Sequence, residues 1–137
     1  GYYEWATALG KYSPKQPFYM SPDPKVWGSA FSVAGIWSGW ISPTGEQIDS
    51  ASIITREAVG ELATIHSRMP VMLPRERWKN WLDQEERDLS HLRNLMVVDR
   101  PDHGILIDPV STRVNLVANN GADLITPITL GEPTTLF

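Results

Sequence analysis

Apolar and polar residues change period several times along the chain, and each change predicts an element. Residues 16–21 (QPFYMS) form a short aromatic run bounded by prolines, which predicts a strand. Residues 29–37 (SAFSVAGIW) mix Phe31, Val33 and Ile36 with small side chains and read as a mostly buried strand. Ser42-Pro43-Thr44-Gly45 places Pro and Gly where a reversal needs them. Residues 48–54 then return as a strand, so a hairpin is expected. Residues 110–117 (VSTRVNLV) alternate in part and predict another strand. The opening GYYEW looks like the interior of a strand.

Three stretches have helical spacing. The first begins near Thr55, whose hydroxyl would cap free amides, with Glu57 in the positive first turn. Val59, Leu62 and Ala63 follow i, i+3, i+4, and His66 continues that stripe, so it is expected to project inward. Pro70 closes this region. The second helix enters at Pro74 and carries Trp78, Trp81 and Leu82 on one face. The third covers residues 85–95 by the spacing of Leu89, Leu92 and Leu95. Strands interrupted by separate helices indicate an α+β fold.

Composition sharpens this picture by exclusion. The chain has 137 residues, 42% of them hydrophobic and 20% charged, with a net charge of −4. That is too apolar for a disordered chain and too acidic for a basic nucleic-acid coat protein. A chain of this size folding alone scales to a surface of ~7,200 Å². No apolar run is long enough to cross a membrane, and nothing argues for export, so a cytoplasmic location is expected. The absence of cysteine removes disulfides, thiolate metal sites and a thiol nucleophile from these residues. Metal-helix, phosphate-loop and nucleophile-elbow motifs are absent too, and His66, His91 and His103 are scattered, so neither metal nor cofactor is expected.

Two segments carry candidate chemistry. Glu4 is embedded in Gly1-Tyr2-Tyr3-Glu4-Trp5, and a carboxylate among aromatics is desolvated toward a role in proton transfer. Thr55 and the run His66-Ser67-Arg68-Met69-Pro70 bring a hydroxyl, an imidazole and a guanidinium into one unit. Taken singly, each residue fits a structural role as well: an ion pair for Glu4, a core imidazole for His66. Residues 55–79 hold Arg56, Arg68, Arg75, Arg77 and Lys79 against Glu57, Glu61 and Glu76. A cleft there can be positive on an acidic protein, although Arg75, Arg77 and Lys79 read more simply as solvated helix charges. Trp27, Trp37, Trp40, Trp78 and Trp81 read as core and rim packing.

In this order, the segments GYYEW, QPFYM, AFSVAGIW, SASIITREA, IHSRMPVML, the Trp81-Leu82 pair and PVSTRVN resemble the SRAP family. These are the SOS response-associated peptidase-like proteins that shield abasic sites in single-stranded DNA. The resemblance runs over essentially the whole chain but covers only the later part of a family member. It implies a curved, barrel-like, mainly antiparallel sheet flanked by helices, with residues 1–137 the C-terminal part of one domain and a missing N-terminal segment as its partner.

The resemblance also implies a chemistry. A cysteine at the family's mature N-terminus condenses its amine with the aldehyde of an abasic sugar, and its thiol closes a thiazolidine ring. That cysteine and a supporting asparagine motif are absent here, so this polypeptide alone is expected to be inactive. Glu4, at the family's GxYEW glutamate, is implied as the proton shuttle beside the amine. His66, at the HxRMP histidine, is implied to exchange protons with the sugar oxygens. Arg68 would meet a phosphate, Thr55 the DNA backbone, and Trp5 a base or the wall of the lesion pocket. Two other readings are a thiol-dependent (auto)peptidase and a non-catalytic module that binds single strands.

Overall fold

The computed structural model describes residues 1–6 and 15–130. Strand β1, Tyr2–Ala6, pairs antiparallel with β2, Gln16–Pro22, placing Glu4 opposite Phe18 and Tyr2 opposite Met20. On its other side β2 pairs antiparallel with a C-terminal strand, Ile105–Pro109, with Met20 opposite Ile107. The sheet therefore has β2 at its centre and β1 at an edge. Alternation puts Tyr2, Ala6, Phe18, Met20, Ile105 and Ile107 on one face. All six join the principal core cluster, in which Met20 is fully buried.

That face is covered by a small unit following a hairpin. The hairpin strands are β3, Gly35–Ile41, and β4, Gln47–Ile53. Strand β5, Thr55–Glu57, then pairs antiparallel with β6, Arg68–Pro70, with Arg56 opposite Met69. Between β5 and β6 lies one helical turn, Leu62–Ile65. Its buried Leu62 and Ile65 join Ala58 and Met69 against the sheet.

This corrects the expected helix from Thr55. Thr55 is in a strand and caps nothing, because the run ending Ile53-Ile54-Thr55 favours extended backbone and finds β6 as its partner. The helix begins only after Gly60, which sits at φ +59. It ends at His66, whose backbone is extended (φ −144, ψ 147). His66 thus leaves the helical frame and is exposed rather than inward.

The β3–β4 hairpin turns where expected. Gly45 takes φ +84, a left-handed geometry suited to glycine, and its N–H donates to the Ser42 carbonyl at 2.9 Å. Its environment is not the expected one: every residue of both strands is exposed, and Trp37 is 74% accessible. The extended run begins at Gly35 rather than at Ser29. Only its root is buried, at Ala34, whose N–H donates to the Val71 carbonyl at 2.8 Å while its own carbonyl accepts from Ile54. Trp37 and Trp40 are therefore neither core nor rim.

The remaining elements are short. Helix α1, Pro24–Trp27, is capped by Asp23, whose carboxylate accepts from the Lys25 N–H at 2.9 Å. In chain order, the turn at Leu62–Ile65 is α2. Pro74 does start a helical stretch, a 3₁₀ turn at Arg75–Arg77 running into α3, Trp78–Trp81, but Leu82 beyond it is 73% exposed. Helix α4, Leu89–Leu95, starts later than expected because Asp88 caps it through the Ser90 N–H at 2.8 Å. The C-terminal sheet strand, numbered β7, was not anticipated.

The strand expected over residues 110–117 is absent. Val110 forms an isolated bridge with Pro127, and Thr112–Asn115 is a 3₁₀ turn entered at Ser111, whose hydroxyl accepts from the Arg113 N–H at 3.3 Å. A local side-chain bond of that kind draws the backbone out of extension. The architecture is α+β, and among the described residues the three antiparallel sheets do not close into a barrel. Among the described residues no helix is long and apolar enough to cross a membrane.

Candidate functional site

Strand alternation fixes the surroundings of Glu4. It lies on the core-bearing face, between Tyr2 and Ala6 on β1 and opposite Phe18 on β2. Half-buried there, it has no hydrogen-bond or ion-pair partner among the described residues. Its charge is felt next door. The Tyr2 phenol is pushed up to about 12, first by burial and then by the Glu4 carboxylate. The Tyr2 hydroxyl is buried without a hydrogen-bond partner among the described residues.

Helix α2 packs against β1, and His66 is the first residue beyond that helix. Its Nδ1 lies 3.1 Å from the Arg68 backbone nitrogen and 3.0 Å from the Arg68 carbonyl oxygen. These contacts belong to two tautomers. With its proton on Nε2, the ring accepts from the Arg68 N–H; with its proton on Nδ1, it donates to the Arg68 carbonyl. The anchored nitrogen stays in place in both, so Nε2 can be a donor or an acceptor without movement of the ring. That is what a side chain exchanging protons with a ligand requires.

Arg68 and Thr55 form one constellation. The Arg68 Nη2 donates to the Thr55 carbonyl at 2.6 Å and to its hydroxyl at 3.0 Å, while Nε donates to the same hydroxyl at 3.2 Å. The β5–β6 pairing brings these two residues together, and the hydroxyl that spacing suggested as a helix cap instead orients a guanidinium. Nη1 has no partner among the described residues. Trp5 lies on the opposite face of β1 from Glu4. It sits beside Tyr3 at 6.2 Å between ring centroids and is held by its Nε1 donating to Asn115 Oδ1 at 2.7 Å.

Sequence reading missed Asn115 and the whole of β7. The PVSTRVN segment was the available signal, and its Ser111 turn is what brings Asn115 back to β1. His91 pairs at 3.8 Å with Glu86, and His103 lends only its backbone carbonyl to Trp27, so neither joins this site. Among the described residues, no group of three or more His, Asp or Glu side chains could hold a metal ion.

The pattern of the SRAP family, described as SOS response associated peptidase, matches residues 1–117. An abasic site processing protein of Gallus gallus, HMCES, is 33% identical over 150 residues, covering 97% of this chain and 43% of the relative. An abasic site processing protein of Bacillus subtilis, YoqW, is 32% identical over 124 residues, covering 90% of this chain and 53% of the relative. The chain thus spans about half the length of these relatives, or somewhat less. In three dimensions a crystallised protein of Bacteroides thetaiotaomicron superposes with a TM-score of 0.75 at 22% identity, covering 94% of this chain and 54% of that one. A fold shared with that protein and a sequence pattern running from Gly1 past Asn115 lead to one assignment: the chain belongs to the SRAP family.

Proposed function

We propose that the protein carrying this chain senses abasic sites in single-stranded DNA and shields them covalently, as part of a DNA-damage response in the cytoplasm. Residues 1–137 act as the later part of one domain, completed by an N-terminal segment that supplies the cysteine. In the reaction the cysteine amine adds to the sugar aldehyde and water departs, leaving an imine. The thiol sulfur then adds to the imine carbon and its proton passes to nitrogen, giving a thiazolidine. Glu4 takes the proton from the attacking amine and returns one to the departing hydroxyl. His66 exchanges protons through Nε2 with the sugar ring oxygen as the aldehyde opens.

Arg68 offers Nη1 to a phosphate with its orientation set by Thr55, whose hydroxyl also faces the DNA backbone. Trp5 presents its ring to a base across the exposed edge of β1. The observation that carries this reading is the anchored imidazole of His66 at the end of the helix packed on the strand of an unpartnered Glu4. Neither group is used up by structure, in contrast to the roles each could have filled alone.

The test uses the protein expressed with whatever encoded residues precede Gly1. It should form a heat-stable adduct with single-stranded DNA holding an abasic site and none with intact DNA. Glu4→Gln and His66→Ala should each slow adduct formation by ~10²–10⁴-fold with the circular dichroism spectrum unchanged. Parental rates from both variants would show that the assigned roles are wrong. Salt-sensitive binding with no adduct in the parent would leave a non-catalytic strand-binding module.

A further inference from the structure

A cleft of about 800 Å³ lies away from Glu4 and His66. It opens between α1, the 3₁₀ turn before α3, and the loop preceding β7. Trp27 and Trp78 form its aromatic walls, and Arg75 and Arg100 reach into it. Both indoles are fixed by their ring N–H groups: Trp27 donates to the His103 carbonyl at 2.9 Å and Trp78 to the Leu73 carbonyl at 2.8 Å. Gly104, at φ +75, lets the loop close against Trp27, since a Cβ there would sit 2.8 Å from the indole Cδ1. The ring faces are thus held in place before any ligand arrives, which lowers the ordering cost of stacking on them.

The two guanidiniums differ from the committed arginines. Arg68 is bound to Thr55, Arg77 to the carbonyls of Leu95 and Val97, and Arg113 to Asp123. Arg75 and Arg100 have no hydrogen-bond or ion-pair partner among the described residues. Arg75 lies over the Trp78 ring, 5.8 Å from its centroid, so its N–H edge is free for an anion. Glu76 is the one carboxylate lining the cleft, against two guanidiniums. On a chain of net charge −4 this is a local reversal of sign.

We propose that this cleft binds an unpaired nucleotide, its base stacked on Trp27 or Trp78 and its phosphate held by Arg75 and Arg100. The inference rests on the reading above for its strand: the nucleotide flanks the lesion held at Glu4 and His66. A relay of aromatic rings joins the two places. Tyr2, two residues from Glu4 on the same face, meets Phe31 at 6.1 Å, and Phe31 meets Trp27 at 6.4 Å. With ~7 Å between alternate strand residues, the separation is at most on the order of 20 Å. That is some six nucleotides at the ~3.4 Å spacing of a stacked strand. A strand reaching about six nucleotides beyond the lesion spans both places.

The experiment compares parent and the Arg75→Gln/Arg100→Gln double variant, with preceding encoded residues included. Binding to an intact twelve-nucleotide single strand is measured across a salt series, and adduct formation on a trinucleotide centred on an abasic site is measured separately. The double variant should bind the twelve-mer at least about tenfold more weakly. Its slope of log K against log salt should fall by about 0.7, for the one phosphate the two arginines share. Adduct yield on the trinucleotide should be unchanged. Parental affinity and slope in the variant would overturn the proposal, as would loss of the trinucleotide adduct, which would make the cleft part of the reactive site. If the parent forms no adduct but the twelve-mer result is as expected, the covalent reading fails while the nucleotide site stands.

Discussion

The β1–β2–β7 sheet and the β3–β4 hairpin are made of similar material and sit in opposite environments. Both are antiparallel, aromatic and rich in branched side chains. In the sheet, the face bearing Tyr2, Phe18, Met20 and Ile107 meets Leu62, Ile65 and Met69 from the β5–α2–β6 unit and becomes the core. In the hairpin, Ile36, Trp37, Trp40, Ile41, Ile48 and Ile53 are all exposed on a ladder no other described element covers. The accessible surface of 10,309 Å² exceeds the ~7,200 Å² expected of a compact chain this size, and the bare hairpin is a visible part of that excess. Apolar content fills a core only when a second layer lies over it.

Truncating both regions at comparable sites tests that contrast most directly. Met69→Ala removes a side chain that is 1% exposed at the centre of the cluster, and should cost about 2–5 kcal/mol in urea unfolding. A smaller effect is expected at the edge of the same core. Tyr2→Phe deletes a buried hydroxyl without a partner and should leave stability unchanged or raise it by up to about 1 kcal/mol.

The Tyr2 variant also carries a pH signature. Because the folded phenol holds its proton up to about 12, the unfolded chain, whose phenol ionises near 10, gains from rising pH. Parental stability should therefore fall as pH climbs from 10 to about 12, and Tyr2→Phe should lessen that fall. An identical pH dependence in the two proteins would place Tyr2 in water rather than against the core. The least change is expected on the hairpin, where Trp37→Ser should alter unfolding free energy by less than about 0.5 kcal/mol. A loss there as large as that of Met69→Ala would mean that the hairpin is covered in solution.

The same contrast explains which parts of the site could be read from residue order. Glu4 on a strand, the Ser42–Gly45 reversal and the helical entry at Pro74 depend on neighbours a few residues away, where aromatic runs, proline and glycine act directly on the backbone. His66 could be singled out as chemistry but not placed, since the stripe of Val59, Leu62 and Ala63 has the same spacing whether the helix runs four turns or one. Gly60 and the extended backbone at His66 cut it to one. The Thr55–Arg68 constellation joins residues thirteen apart across a strand pair, and Trp5 meets Asn115 across 110 positions.

Local order in the chain was enough to establish an α+β protein of the SRAP family, with an acid on an aromatic strand and an imidazole beside a guanidinium. Tertiary packing alone decided that Thr55 orients Arg68 instead of capping a helix, that His66 faces outward on an anchored ring, and that one apolar ladder is buried while the other is bare. The reason is physical: turn and strand preferences act between near neighbours, whereas burial and long-range hydrogen bonds depend on which surfaces the folded chain brings into contact.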